Sequence, residues 1–304
     1  MTKKPMHNDI RTVDLNLLKT LDALLDERSV TRAAARLSLT QPAVSGMLNR
    51  LREYFNDPLF TRTQRGIIPT LRALELQQPV KDILTEISGL LQPKTFDPLT
   101  AEITIKIAAT DYALRAVVVP FIEALKLQAP HIRVAVLPVN NEQLAAQFER
   151  GDIDIALVTP ETALPDLHAR QLYEEYYVCL LRKEHPLAQP GALTLDSFCA
   201  MDHALFSYTG DSFHGVTDDA LAAIGRSRHI ALSVYSFLVL PEILRVSELI
   251  SVVPQRLARN LPGLTVMPPP LAIKGFSKTA IWHERTHRDP GYRWLRELLF
   301  TITH

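Results

Sequence analysis

Residues 29–52 read SVTRAAARLSLTQPAVSGMLNRLR. Two short helices joined by a tight turn account for the order of residues. Thr31 is expected as the N-cap of the first helix, its hydroxyl accepting from an orphan backbone N–H. Ala33, Ala34 and Ala35 favour helix and let a second helix cross closely. Ser38-Leu39-Thr40 makes the turn. Thr40 caps the second helix, and Pro42 falls in its first turn, where a missing N–H costs nothing. In that second helix Val44, Leu48, Leu51 and Phe55 recur at helical spacing and face a core. Gln41, Ser45, Asn49 and Arg52 fall on the opposite side. A polar stripe that begins at a helix N-terminus suits the DNA major groove. Gln pairs with adenine, Arg with guanine, and Ser or Asn with bases or phosphates.

The flanks agree with a DNA-binding module. Asp14 caps an earlier helix in which Leu17, Leu18, Leu21, Leu24 and Leu25 form one apolar face. Pro58 to Thr70, PLFTRTQRGIIPT, reads as a β-hairpin with Gly66 supplying the turn conformation. A helix-turn-helix followed by a two-stranded ribbon is a winged module, and Arg62 and Arg65 on the ribbon can reach phosphates. The expected DNA-facing set is Thr31, Arg32, Gln41, Pro42, Ser45, Asn49, Arg52, Arg62 and Arg65.

Charge is distributed accordingly. The 304-residue chain is formally neutral, but residues 1–70 hold eleven Lys/Arg against seven Asp/Glu, a net of +4, so the rest carries −4. That is a small basic module on a larger acidic body. Cys179 and Cys199 lie 20 apart with no CxxC pattern, which implies neither a disulfide framework nor a metal knuckle. No apolar run reaches the length of a membrane span, and MTKKPMHNDI lacks a signal-peptide core. The expected setting is the cytoplasm, with no cofactor.

Thr70 caps a long helix over 71–91. Val80, Ile83, Leu84, Ile87, Leu90 and Leu91 form an apolar seam expected to pair with a second copy of the helix. Pro79 interrupts its first half and is expected to kink it. QPKTFDP, residues 92–98, is a linker. Beyond it come alternating strands and helices: a strand near 103–107, a helix opened by Thr110 and Asp111 that runs to about 128, a strand near 134–137, a helix over 141–150 and a strand ending at Thr159. This order argues for a mostly parallel sheet flanked by helices. Further strands are expected near 177–181, 204–207, 230–234, 250–253 and 279–283. MPPPLA, 267–272, reads as a crossover between lobes, and the clustered Tyr173, Tyr176 and Tyr177 as strand packing.

At this point the residues resemble a known family. VDLNLLKTLDALLDERSVTRAAARLSLTQPAVSGMLNRLREYFNDPLFTRTQRGIIPT is similar to the N-terminal domain of LysR-type transcriptional regulators, in the branch marked by LRxxFxDPLFxR. FERGDIDIALV, LLRKEHPLA and WHERTHRDPGYRWLRELL follow as looser landmarks in the usual order. The resemblance implies an α/β chain in three parts: a winged helix-turn-helix over 1–70, a dimerisation helix over 71–92, and a two-lobed effector domain over 99–304 like periplasmic binding proteins. Lobe 1 would comprise about 99–162 and 270–304, lobe 2 about 163–269. It further implies a homodimer or dimer of dimers on double-stranded DNA carrying an interrupted palindrome, a small-molecule effector, and no catalysis. Effector contacts at strand ends are expected from Thr110, Asp111, Thr159, Phe206, Ser207, Tyr208, Ser236 and Phe237. Hydroxyls and helix N-termini suit a carboxylate, and the rings suit an apolar or aromatic body.

Two motifs point elsewhere. His283-Glu284-Arg285-Thr286-His287 matches HExxH, but a zinc site of that type needs a helix that brings both imidazoles to one ion, and here the motif follows a strand. Gly210-Asp211-Ser212-Phe213-His214-Gly215 resembles a nucleophile elbow with the wrong glycine spacing. A metal-dependent enzyme and an architectural DNA binder are the rival classes; a two-lobed domain with a cleft argues against the second.

Overall fold

The computed structural model describes residues 14–64, 66–92, 95–159, 167–208 and 210–303. The chain divides into two compact units, Met1–Lys94 and Thr95–His304.

In the first unit α1 (Leu15–Glu27), α2 (Val30–Arg36) and α3 (Gln41–Phe55) close over a core of Leu21, Leu24, Ala33, Val44 and Leu51. Asp14 and Thr40 cap α1 and α3 as expected, accepting from Asn16 N–H at 2.9 Å and Ala43 N–H at 3.4 Å. The expected cap of α2 is corrected. Ser29 accepts from Arg32 N–H at 3.4 Å, so α2 starts at Val30 and Thr31 lies inside it. Both hydroxyls suit a cap, and the extended backbone at Ser29 (φ −155°, ψ 124°) decides between them. β1 (Phe60–Thr63) and β2 (Gly66–Pro69) form the wing. The wing is docked by Ile67 N–H donating to the Arg28 carbonyl at 3.2 Å. Gly66 sits at φ 130°, and a Cβ there would stand 2.7 Å from that same carbonyl, so both the turn and the docking require glycine.

α4 (Leu71–Leu91) runs unbroken through Pro79. It packs on α1 through Val80 and through Lys81, whose ammonium pairs with Asp26 at 2.8 Å. Hydrogen bonds from Lys81 and Arg36 hold the Asp26 carboxyl below the usual carboxylate range.

The second unit holds two five-stranded sheets. Its elements in chain order begin with β3 (Thr104–Ala108), α5 (Asp111–Ala113), a π-helical turn over Leu114–Val118, α6 (Val119–Gln128), β4 (Arg133–Leu137), α7 (Leu144–Arg150) and β5 (Ile155–Val158). β6 (Leu167–Glu175), β7 (Tyr177–Arg182), α8 (Leu195–Ala200), β8 (Asp202–Phe206), α9 (Val216–Ala222) and β9 (His229–Val234) follow. The chain then forms α10 (Leu240–Arg245), β10 (Ile250–Pro254), β11 (Leu264–Met267), β12 (Phe276–His283), α11 (Glu284–His287) and α12 (Pro290–Thr303).

Lobe 1 orders its strands β4-β3-β5-β12-β6, with β3 parallel to β4 and β5 and with β12 antiparallel to β5 and β6. Lobe 2 orders them β11-β7-β10-β8-β9, parallel only across β10-β8-β9. The expected lobe boundary at 163 is therefore displaced. β6 adds to the lobe 1 sheet through its ladder with β12, and lobe 2 starts beyond Glu175. β6 was not expected as a strand because its exposed stretch, Ala169 to Gln171, breaks the apolar alternation.

Two segments cross between the lobes, one at Tyr176 and one over 268–275. They approach so closely at Glu175 and Gly275 that a Cβ on Gly275 would run into the Glu175 carbonyl. One buried cluster continues through both lobes, from Ile105, Tyr112 and Phe121 to Leu240, Val253 and Leu257.

Candidate DNA-binding face and effector cleft

On α3, Gln41, Pro42, Ser45 and Asn49 are exposed while Val44, Leu48 and Leu51 are buried, so the sequence-derived division of faces holds. An added Cβ at Gly46 would meet nothing within 4 Å, which leaves this face flat at its centre. Arg52 differs from the expectation of a base contact. Its guanidinium donates to the Pro58 carbonyl at 2.8 Å, the Phe60 carbonyl at 3.4 Å and the Asn49 amide oxygen at 3.2 Å. It ties α3 to the entry of the wing and orients Asn49. A helical projection cannot reveal this, because the carbonyls it satisfies belong to a later segment.

Arg32 is exposed on α2 and pairs with Glu27 at 3.2 Å; Thr31 beside it is exposed. Arg62 is exposed on β1, and Arg65 lies outside the described residues. Between α2 and the wing opens a depression of about 500 Å³ lined by Arg28, Arg32, Thr63, Gln64, Ile67 and Ile68. Two guanidiniums over an open groove suit a phosphate backbone. Arg28 was not in the expected set. It follows α1 in the left-handed conformation (φ 49°), which a hydrophobicity pattern does not mark.

The α4 seam is partly used within its own unit. Val80 is buried and Leu84 packs on the same core. Ile83 (43% exposed), Leu90 (84%) and Leu91 (80%) remain uncovered, with Ile87 half-buried.

In the second unit β3 and β5 are parallel neighbours, so Thr110 and Thr159 follow the same sheet edge. Thr110 accepts from Ala113 N–H at 3.3 Å and serves as the cap of α5. Asp111 is engaged twice: Oδ1 accepts from Tyr112 N–H at 2.7 Å, and Oδ2 accepts from Phe237 N–H across the lobes, also at 2.7 Å. Phe237 stacks on Phe206 with ring centres 3.6 Å apart, and Tyr208 meets Phe206 edge-on at 5.2 Å. Asp111, Phe206, Tyr208 and Phe237 thus come together. Ser207 Oγ instead holds its own loop, accepting from Gly210 N–H at 2.9 Å and lying 3.1 Å from Ser233 Oγ. Ser236 accepts from Leu238 N–H at 3.2 Å and does not open a helix; α10 begins four residues later at Leu240. Nearby, sequence reasoning missed a buried group at the crossover: Tyr112, Tyr173, Glu175 and Lys278.

The HExxH motif does not bring its own two histidines together. His283 is an N-cap, its Nδ1 accepting from Arg285 N–H at 3.2 Å. Glu284 Oε2 meets His168 Nε2 at 2.6 Å, and the His168 and His287 rings lie parallel with centres 3.8 Å apart. Trp282 N–H donates to His287 Nδ1 at 3.1 Å. His168, Glu284 and His287 offer ligand atoms within 4.8 Å of one another, with His287 Nδ1 already accepting from Trp282, so the cluster is not the pair of histidines that HExxH would bring to one ion.

A winged helix-turn-helix carried on a long helix, joined in one chain to a two-lobed α/β unit with a crossover between its lobes, defines a DNA-binding regulator with a ligand-sensing domain. The bacterial regulatory helix-turn-helix protein model of the lysR family matches residues 15–74, and the LysR substrate binding domain model matches 101–301. The chain belongs to the LysR family of transcriptional regulators. It is 38% identical to the HTH-type transcriptional activator NagR of Ralstonia sp, over 97% of this chain and 98% of that one. It is 35% identical to the HTH-type transcriptional activator NahR of Pseudomonas putida, over 97% and 99%. Among solved structures, a probable transcriptional regulator of Pseudomonas aeruginosa is 30% identical, with a TM-score of 0.59 over 95% of this chain and 97% of that one. CbnR, solved with its target DNA, shares the fold at 16% identity, with a TM-score of 0.64 over 96% and 100%. These relatives are regulators and not enzymes. No described helix is long and apolar enough to cross a membrane.

Proposed function

We propose that this regulator acts in the cytoplasm and reads an interrupted palindrome as a homodimer or dimer of dimers. Each copy places the N-terminal half of α3 in the major groove and the wing along the phosphates. The observation that carries the reading is the exposed polar face Gln41, Ser45 and Asn49, which starts at a helix N-terminus. Arg32 and Arg62 supply charge to either side. The uncovered apolar residues of α4, Ile83, Leu90 and Leu91, are the surface for a second copy. The effector is an organic carboxylate held between the lobes, near Asp111, Phe206 and Phe237. It acts by binding two DNA-bound geometries unequally.

Footprinting of the intergenic DNA beside its own coding region supplies the operator. On that operator Gln41→Ala is expected to relax preference at one symmetric pair of base positions, a bidentate contact being worth about 1–3 kcal/mol. Arg62→Ala is expected to weaken binding to all sequences and to flatten the salt dependence. Equal losses for both variants on operator and scrambled DNA would remove α3 as the reader.

A further inference from the structure

Lys278 lies on β12, just past the crossover, opposite Tyr173 in the ladder. It is only 3% exposed. No hydrogen bond or ion pair to any described residue holds its ammonium. Burial with no charged partner lowers its pKa to about 8. A desolvated cation without a counter-charge is costly, and lysines are almost never this buried unless paired.

The surroundings are aromatic. Nζ lies 5.9 Å from the centre of the Tyr112 ring. Tyr112 meets Phe276 at 5.8 Å and, across the lobes, Phe237 at 6.1 Å, both edge-on. The one buried acid of this group is already engaged: Glu175 accepts from the Tyr112 hydroxyl and from Tyr176 N–H at 3.1 Å. The Tyr173 hydroxyl lies 3.1 Å from that of Tyr112, and Arg256 is stacked over the Tyr173 ring at 3.7 Å. Lys278 is left beside these rings with no acid to pair with.

We propose that Lys278 is the anion anchor of the effector site, pairing with the carboxylate of an aromatic effector whose ring lies against Tyr112, Phe276 and Phe237. The proposal rests on the reading that an effector enters between the lobes. A bound carboxylate would stabilise the protonated lysine, so binding should take up a proton wherever free Lys278 is partly neutral.

The test is calorimetry on the full-length protein with benzoate, and with benzamide as an uncharged ring of the same size. The wild type is expected to prefer benzoate. Lys278→Met should lose benzoate affinity about 10- to 100-fold, the worth of a charge-assisted hydrogen bond, and bind the two probes alike. Lys278→Arg should retain the preference. Wild-type affinity for benzoate should fall as pH rises above about 8, approaching tenfold per unit, with proton uptake read from buffers of different ionisation enthalpy. That uptake does not depend on any variant folding, and a merely structural lysine would not produce it. Unchanged benzoate affinity in Lys278→Met, or binding without proton uptake at pH 8.5, overturns the anchor. If Thr110→Val then weakens binding, the cleft reading survives without Lys278; if neither variant does, the cleft reading falls too. No benzoate binding by the wild type at about 10 mM, well above the range expected for a charge-paired ligand, also overturns the anchor. Operator footprinting tests the regulator reading separately.

Discussion

Replacing Lys278 by methionine isolates the cost of one buried charge with no ligand present. The lysine pKa falls from its ordinary 10.5 to about 8 in the fold, through desolvation alone. A fall of about 2.5, at about 1.36 kcal/mol for each pH unit, sets an upper bound between about 3 and 4 kcal/mol. Between pH 8 and 10.5 the unfolded chain binds the proton and the folded chain has released it, so wild-type stability rises with pH across that window. Below pH 8 the full penalty is present. Lys278→Met, which keeps an unbranched stem and removes the charge, should therefore be more stable than the wild type at pH 7. The advantage should shrink by up to about 1.4 kcal/mol per pH unit above 8 and vanish near 10.5, apart from a constant packing difference. Urea unfolding followed by tryptophan emission reads the right unit, because the two tryptophans, Trp282 and Trp294, both lie in the second one. Tyr173, pushed up to about 12 by burial, is present in both proteins and cancels in the difference. A difference between the two proteins that stays constant from pH 7 to 10 would refute the reasoning.

Three further outcomes are expected. Ile83→Glu with Ile87→Glu places like charges on the uncovered side of α4 and should dissociate the assembly, with operator affinity collapsing; an unchanged mass by light scattering would leave that face without a partner. Thr110→Val removes the α5 cap at about 1 kcal/mol of stability and should weaken effector binding while leaving effector-free operator binding intact, so calorimetry and gel shift together separate the two effects. The Arg228 side chain is fully buried and grips Asp218 with two hydrogen bonds of 2.8 and 2.9 Å; Arg228→Ala leaves the largely buried Asp218 carboxylate without its counter-charge and should cost about 3 kcal/mol in a urea melt, and a loss under about 1 kcal/mol would show that the pair is solvated.

Much of the DNA-binding unit is legible in the order of residues, because its signals are local. Alternation at helical spacing marks the faces of α1 and α3, hydroxyls at 40 and 70 cap helices that begin beside them, and Gly66 sits where the wing turns. Thr31 was expected as the cap of α2 where Ser29 serves, since both have the chemistry and only the backbone angles separate them. Elsewhere the tertiary structure decided. Arg52 lies on the polar stripe but turns to carbonyls of the wing. Two of the six seam residues of α4, Val80 and Leu84, are consumed within its own unit before any second copy arrives. Asp111 opens a helix by sequence and latches the two lobes in space through Phe237 N–H. Lys278 is the sharpest case: in the chain it is a lysine near the start of a strand, a pattern that ordinarily means solvent. Only the ladder with β6 and the ring of Tyr112 enclose it, because burial depends on what other segments bring to a residue and not on its own neighbours in sequence.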